Sequence, residues 1–188
     1  MKSYAQDALE TLWAFRAGIY SIEDVVWWAD AVLAQANQYD DAVANISLSA
    51  KRLPQEIDSM LLHASEGADR IQAIRHLLGQ MHGVMLLDQS RGRDFTRVID
   101  RIVVECGYHL PQDLNFLFGL EDEFDMAEDG TYGTVSGVTD AFIKRTELYS
   151  RQEVKERQPI KLSATSSGWS RIRQLVDLMG GRKRKEHS

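Results

Sequence analysis

The chain has a single cysteine, Cys106, and three prolines among its 188 residues. One thiol forms no internal disulfide, so a disulfide scaffold is excluded and a reducing compartment, the cytoplasm, is the expected setting. So few prolines exclude long polyproline linkers. No apolar run approaches the roughly 18 residues that span a bilayer; the longest local run is Gly83-Val84-Met85-Leu86-Leu87. The opening MKSYAQDALETLWAF carries Asp7 and Glu10 and no apolar region, so no secretory signal is expected there. Enzymatic signatures are missing as well. There is no phosphate-cradling glycine loop, no HExxH and no Gly-x-Ser-x-Gly elbow. His76 and His82 stand on different helix faces and His63 is isolated, so neither a metal nor a catalytic residue nor a cofactor is expected.

What is present is ordinary globular material: 44% hydrophobic and 27% charged residues, enough for one self-supporting domain with an appendage. The charge is unevenly placed. Residues 1–150 hold twelve Lys/Arg against twenty-four Asp/Glu, a net of −12, whereas residues 151–188 hold ten against four, a net of +6. An acidic body repels nucleic acid and attracts basic partners over about a Debye length, so a nucleic-acid partner is not expected.

Apolar residues recur at helical spacing along most of the chain. Ala5, Leu9, Leu12 and Trp13 share one face, Ser3 and Gln6 have the spacing of a capping box, and Gly18 stands where a helix would stop. Ser21 caps the next helix, whose apolar stripe is Val25, Val26, Trp28, Ala29, Val32 and Leu33. A polar break covers Asn37 to Asp41, and Ile46-Ser47-Leu48-Ser49 reads as an extended turn or short helix. Pro54 opens a helix that Gly67 closes. A further helix is expected from about Ala68 to Leu78, since Gly79 and Gly83 weaken any continuation.

After a loop at Ser90–Arg93, Asp94 is read as the cap of a helix carrying Phe95, Val98, Ile99, Ile102, Val103 and Cys106, stopped by Gly107. Pro111 opens a segment with Leu114, Leu117, Phe118 and Phe124, and Thr139 caps a short helix using Phe142, Ile143 and Leu148. The expected fold is therefore all-α. It is a bundle of about six or seven helices over residues 1–149, followed by a polar tether, an amphipathic helix and a basic tail over 150–188.

The densest chemistry is the acidic run Glu121, Asp122, Glu123, Asp125, Glu128 and Asp129. Asp125, Asp129 and Gly130 match three positions of a calcium loop, but Ala127 and Ser136 stand where oxygen ligands are required, so calcium is not expected. The run is either a solvated face or an anionic patch that docks on a basic protein. Crowded carboxylates repel, and the nearest compensating charges in the chain are Arg91, Arg93, Arg97 and Arg101. Trp27 and Trp28 point about 100° apart on a helix, so one can pack while the other sits at a rim. Trp27 is taken as a candidate contact residue beside the acids. The Trp169–Met179 stripe is read as docking on the body, joining a second subunit or, with its basic flank, meeting an anionic surface.

The stretch LETLWAFRAGIYSIEDVVWWADAVL, residues 9–33, continued by NISLSAKRLPQEIDSMLL, residues 45–62, resembles a pattern in small helical bacterial proteins. These are the immunity-type proteins of polymorphic or contact-dependent toxin systems. The resemblance is carried by Gly18, Ser21, Glu23, Val25, Trp28, Ala29 and Asp30, with Asp24 in place of a second Glu, and spans about a quarter of the chain. It implies a non-enzymatic bacterial protein that binds a cognate toxin and blocks it, with no catalytic residues to carry over. The alternative drawn from the sequence is a structural or regulatory adaptor that self-associates through Trp169–Met179.

Overall fold

The structure, a computed structural model, describes residues 4–35 and 40–156, with side chains described through residue 150. Expectations at Ser3, at Asn37–Tyr39 and over residues 157–188, including the Trp169–Met179 stripe and the basic tail, lie outside the described residues. Among the described residues the fold is all-α, with eight α-helices and no strand. They are α1 (Ala5–Arg16), α2 (Ile22–Gln35), α3 (Asp41–Ser47), α4 (Pro54–Ala64), α5 (Arg70–Met85), α6 (Gly92–Glu105), α7 (Leu120–Glu128) and α8 (Val135–Glu156). None of these helices is long and apolar enough to cross a membrane.

α1 is the central helix. Ala5, Ala8, Leu9, Leu12, Trp13 and Ala14 are buried, and so are Glu10 and Thr11 on its other side. A helix covered nearly all round needs neighbours on several sides, and α1 packs against α2, α4 and α5. It ends in a Schellman motif. Gly18 adopts φ +63°, its N–H donates to the Phe15 carbonyl, and the Ile19 N–H donates to the Ala14 carbonyl at 2.9 Å. Ser21 then caps α2 reciprocally with Asp24: the Asp24 N–H donates to Ser21 Oγ, and the Ser21 N–H donates to Asp24 Oδ2 at 2.8 Å. α4 starts at Pro54, as expected, and the Glu56 carboxylate accepts from the Leu53 N–H.

Several boundaries differ from expectation. α5 continues through Gly79 and Gly83 to Met85, because Leu77, Leu78, Met81 and Met85 are all buried and hold those turns. Asp94 does not cap α6. A 3-10 turn at Gln89–Arg91, capped by Asp88, runs directly into Gly92, and Asp94 lies in the first turn. α4 ends at Ala64, and Gly67 lies in the turn beyond it at φ +86°. Pro111 leads into a 3-10 turn, Gln112–Leu117, before α7 begins. Thr139 is not a cap: it sits buried inside α8, which is one long helix, while Leu148 faces solvent. α8 continues to Glu156, past the boundary expected at Ser150.

Candidate partner-binding surface

α7 carries the acidic run and packs on α6 through Phe124. Phe124 lies against Gly92, where an added Cβ would stand 3.1 Å from its ring. That burial turns the other side of α7 outward. Arg93, in the first turn of α6, reaches across to it. Its guanidinium pairs with Asp125, lies 3.9 Å from Glu121 and 3.8 Å from Glu128, and donates to the Glu121 carbonyl at 3.2 Å. Arg145 of α8 pairs with Glu123 at 3.5 Å. Asp122 and Asp129 are exposed and have no basic partner among the described residues.

The compensating arginines therefore differ from those the spacing suggested. Arg93 serves α7, whereas Arg91 turns to Asp94, the Ala17 carbonyl and the Phe95 ring. Arg97 and Arg101 do not reach α7 at all. They line a small groove of about 150 Å³ with Arg16, Val98 and Ile102. Both are exposed, and neither meets a carboxylate among the described residues. Among the described residues, the five carboxylates of α7 and that of its C-cap Asp129 thus have two guanidinium groups between them, and this surface keeps a negative balance.

Trp27 is the exposed member of the tryptophan pair, at 40%, and Trp28 is half-buried against the core. α2 is held to α3 by the Ser47 hydroxyl, which donates to Asp30. Asp30 lies one turn from Trp27, so the joint fixes the stretch of α2 that carries the indole.

A separate cleft of about 420 Å³ opens between α1, α4 and the start of α5, with Leu9, Trp13, Leu62, His63, Arg70 and Glu105 in its walls. Its polar groups are engaged with one another. Arg70 donates to the Glu105 carbonyl at 2.8 Å, the Glu105 carboxylate accepts from Arg16, and His63 pairs with Glu66 at 3.0 Å. Burial pushes the Cys106 thiol up, so little thiolate exists near neutral pH. No group of three His, Cys, Asp or Glu is placed to hold a metal among the described residues.

Sequence reasoning missed one buried polar joint. Glu10, only 5% exposed, lies 2.7 Å from His76 Nδ1 and accepts from Gln6 at 3.0 Å, tying α1 to α5. The signal was faint, because Glu10 occupies the polar side of an amphipathic pattern and only the tertiary fold buries it. Comparison with protein-family models, with curated proteins and with solved structures finds no match.

Proposed function

We propose that this chain is a non-enzymatic protein-binding module of immunity type, which docks the outer face of α7 on a basic partner such as a cognate toxin domain. The observation that carries the reading is the incomplete neutralisation of α7. Asp122 and Asp129 stand exposed without a counter-ion among the described residues, and Asp125 and Glu128 remain about half-exposed beside Arg93. Asp122, Asp125 and Asp129 fall within about 60° on the helix, so they present one anionic face. A basic surface would relieve the repulsion among them, and attraction of this kind speeds association and selects the partner. Exposed Trp27 lies on α2, which packs on α3 and α1, and offers a separate aromatic contact of the type enriched at interfaces. The lone thiol fits a cytoplasmic setting.

The test isolates a basic partner from the native host at low salt and measures its binding by titration calorimetry. Binding that weakens with added salt, and weakens about tenfold or more in Asp122→Asn/Asp125→Asn/Asp129→Asn, supports the reading; a tenfold change is about 1.4 kcal/mol. Absence of binding, or equal affinity of the triple variant, overturns it.

A further inference from the structure

Among the described residues, some of the charges left over after internal pairing form two outward stripes of opposite sign. On α6, Arg97, Arg101 and Val104 fall within about 60° of one another. All three are exposed, Val104 at 49%. Just past the helix end, Tyr108 stands 61% exposed with its ring stacked on that of Phe118, centroids 6.3 Å apart. Asp100 and Glu105 flank this stripe, and Glu105 is already taken by Arg16.

On α7, Asp122, Met126 and Asp129 share an exposed face in the same way, with Met126 at 39%. Past its end Tyr132 stands 72% exposed, its N–H donating to the Met126 carbonyl. Each stripe therefore has two like charges, one flexible or branched apolar residue, and a tyrosine beyond a Schellman turn, at Gly107 in one case and Gly130 in the other. α6 and α7 pack on each other through their buried faces, so neither stripe satisfies the other within one chain.

We propose that the Arg97–Arg101–Val104–Tyr108 stripe of α6 docks on the Asp122–Met126–Asp129–Tyr132 stripe of α7 in a second copy of this chain. The two stripes complement each other in sign and match in having an apolar residue and an aromatic end. The proposal requires a two-fold axis that pairs both stripes of both copies, which would close the contact as a dimer instead of letting it grow as a filament. The two arginines are separated by about 6 Å of helix rise and the two aspartates by about 10 Å, a difference that the long arginine side chains span. Each chain carries a net charge of −6, which opposes approach. That repulsion acts at long range and is screened beyond about 8 Å at physiological salt, while the contact pairs act within a few ångströms. The dimer covers the same Asp122 and Asp129 that the toxin-binding reading offers to a basic partner, so the two contacts compete for that face; the inference does not rest on that reading.

Sedimentation of the full chain over a concentration series at about 0.15 M salt tests it. A species of twice the 21.3 kDa chain mass is expected, dissociating at high salt. Arg97→Glu/Arg101→Glu and Asp122→Lys/Asp129→Lys should each sediment as monomers. Their equimolar mixture should recover the dimer, because every reversed stripe then meets a reversed stripe. Recovery also shows that both variants are folded. A wild-type chain that stays monomeric throughout, a dimer that survives both reversals, or a mixture that fails to reassociate overturns the proposal. The first variant keeps the α7 carboxylates, so its capture of a basic partner reports separately on the toxin-binding reading.

Discussion

Arg16 is the residue through which three helices meet. Its Nε and Nη2 donate to the two oxygens of Asp58 on α4, at 2.6 and 3.0 Å, and its Nη1 donates to Glu105 on α6 at 2.9 Å. A two-pronged guanidinium–carboxylate contact is geometrically demanding and stronger than a neutral hydrogen bond. The Glu105 carboxylate is more than a third exposed, so solvent screens its share. Arg16→Leu should lower the unfolding free energy by about 2 kcal/mol, chiefly through Asp58, as read from urea denaturation. Gly18→Ala should cost about 1 kcal/mol, because alanine is strained in the left-handed region. Its Cβ would also stand 3.2 Å from Arg91 Nη2.

His82 carries the pH dependence that the fold predicts. It is buried between α5 and α8, with Nδ1 3.0 Å from the Ile143 carbonyl and 3.2 Å from Thr146 Oγ1. Desolvation lowers its pKa below the ordinary 6.5, outweighing the Ile143 carbonyl and the charge of Glu147, which act the other way. The unfolded chain therefore takes up the proton first as pH falls below about 6.5. Stability from this site is complete above that pH, declines below it, and levels off once the folded pKa is passed. His82→Gln should remove that part of the acid-side slope in chemical unfolding measured from pH 8 to 5; an unchanged slope would assign it to other groups.

At the scale of elements, helix ends were more legible than helix lengths. Gly18, Ser21, Pro54 and Gly107 act locally, through backbone conformation and short hydrogen bonds, and each stands where its chemistry implied. α5 runs on because a glycine inside a helix costs only about 1 kcal/mol, and several buried side chains outweigh that. The residues that hold those turns reveal their burial only once α5 packs on α1. Gly83 has no neighbour within 4 Å of an added Cβ, so Gly83→Ala should stabilise the chain by about 0.5–1 kcal/mol, visible as a raised thermal midpoint. The sequence implies a short helix at α8 because its interior is polar on most faces. Its inward contacts are narrow: buried Phe142 and Thr146, and Tyr149, whose hydroxyl donates to the Asp113 carbonyl at 2.9 Å. Burial and the Asp113 charge push that phenol up to about 12, so it stays a donor across the physiological range.

At the scale of the whole molecule, composition showed the sign of the surface but not its arrangement. Arg93, Arg97 and Arg101 recur at one spacing, yet α7 crosses α6 where only Arg93 can reach it. The helical twist and the crossing position decide this, and neither is written in the spacing. Likewise, adjacent tryptophans diverge on a helix, but only the fold decides that Trp28 packs against the core while Trp27 faces water. Arg93→Ala should leave three carboxylates without their shared cation. It should weaken folding while strengthening capture of a basic partner at low salt. The two effects are separable by unfolding and binding measurements on one preparation.

The Arg91 latch links parts of the chain far apart in sequence. Its Nη2 donates to the Ala17 carbonyl at 2.9 Å and reaches the Gly18 carbonyl at 3.4 Å, while the guanidinium lies over the Phe95 ring. The turn leaving the first helix and the corner entering the sixth are therefore clasped by one side chain, and neither can open without releasing the other. In deuterium labelling the amides of Ile19 and Tyr20 should exchange at the same pace as that of Arg91, and Arg91→Ala should speed all three together.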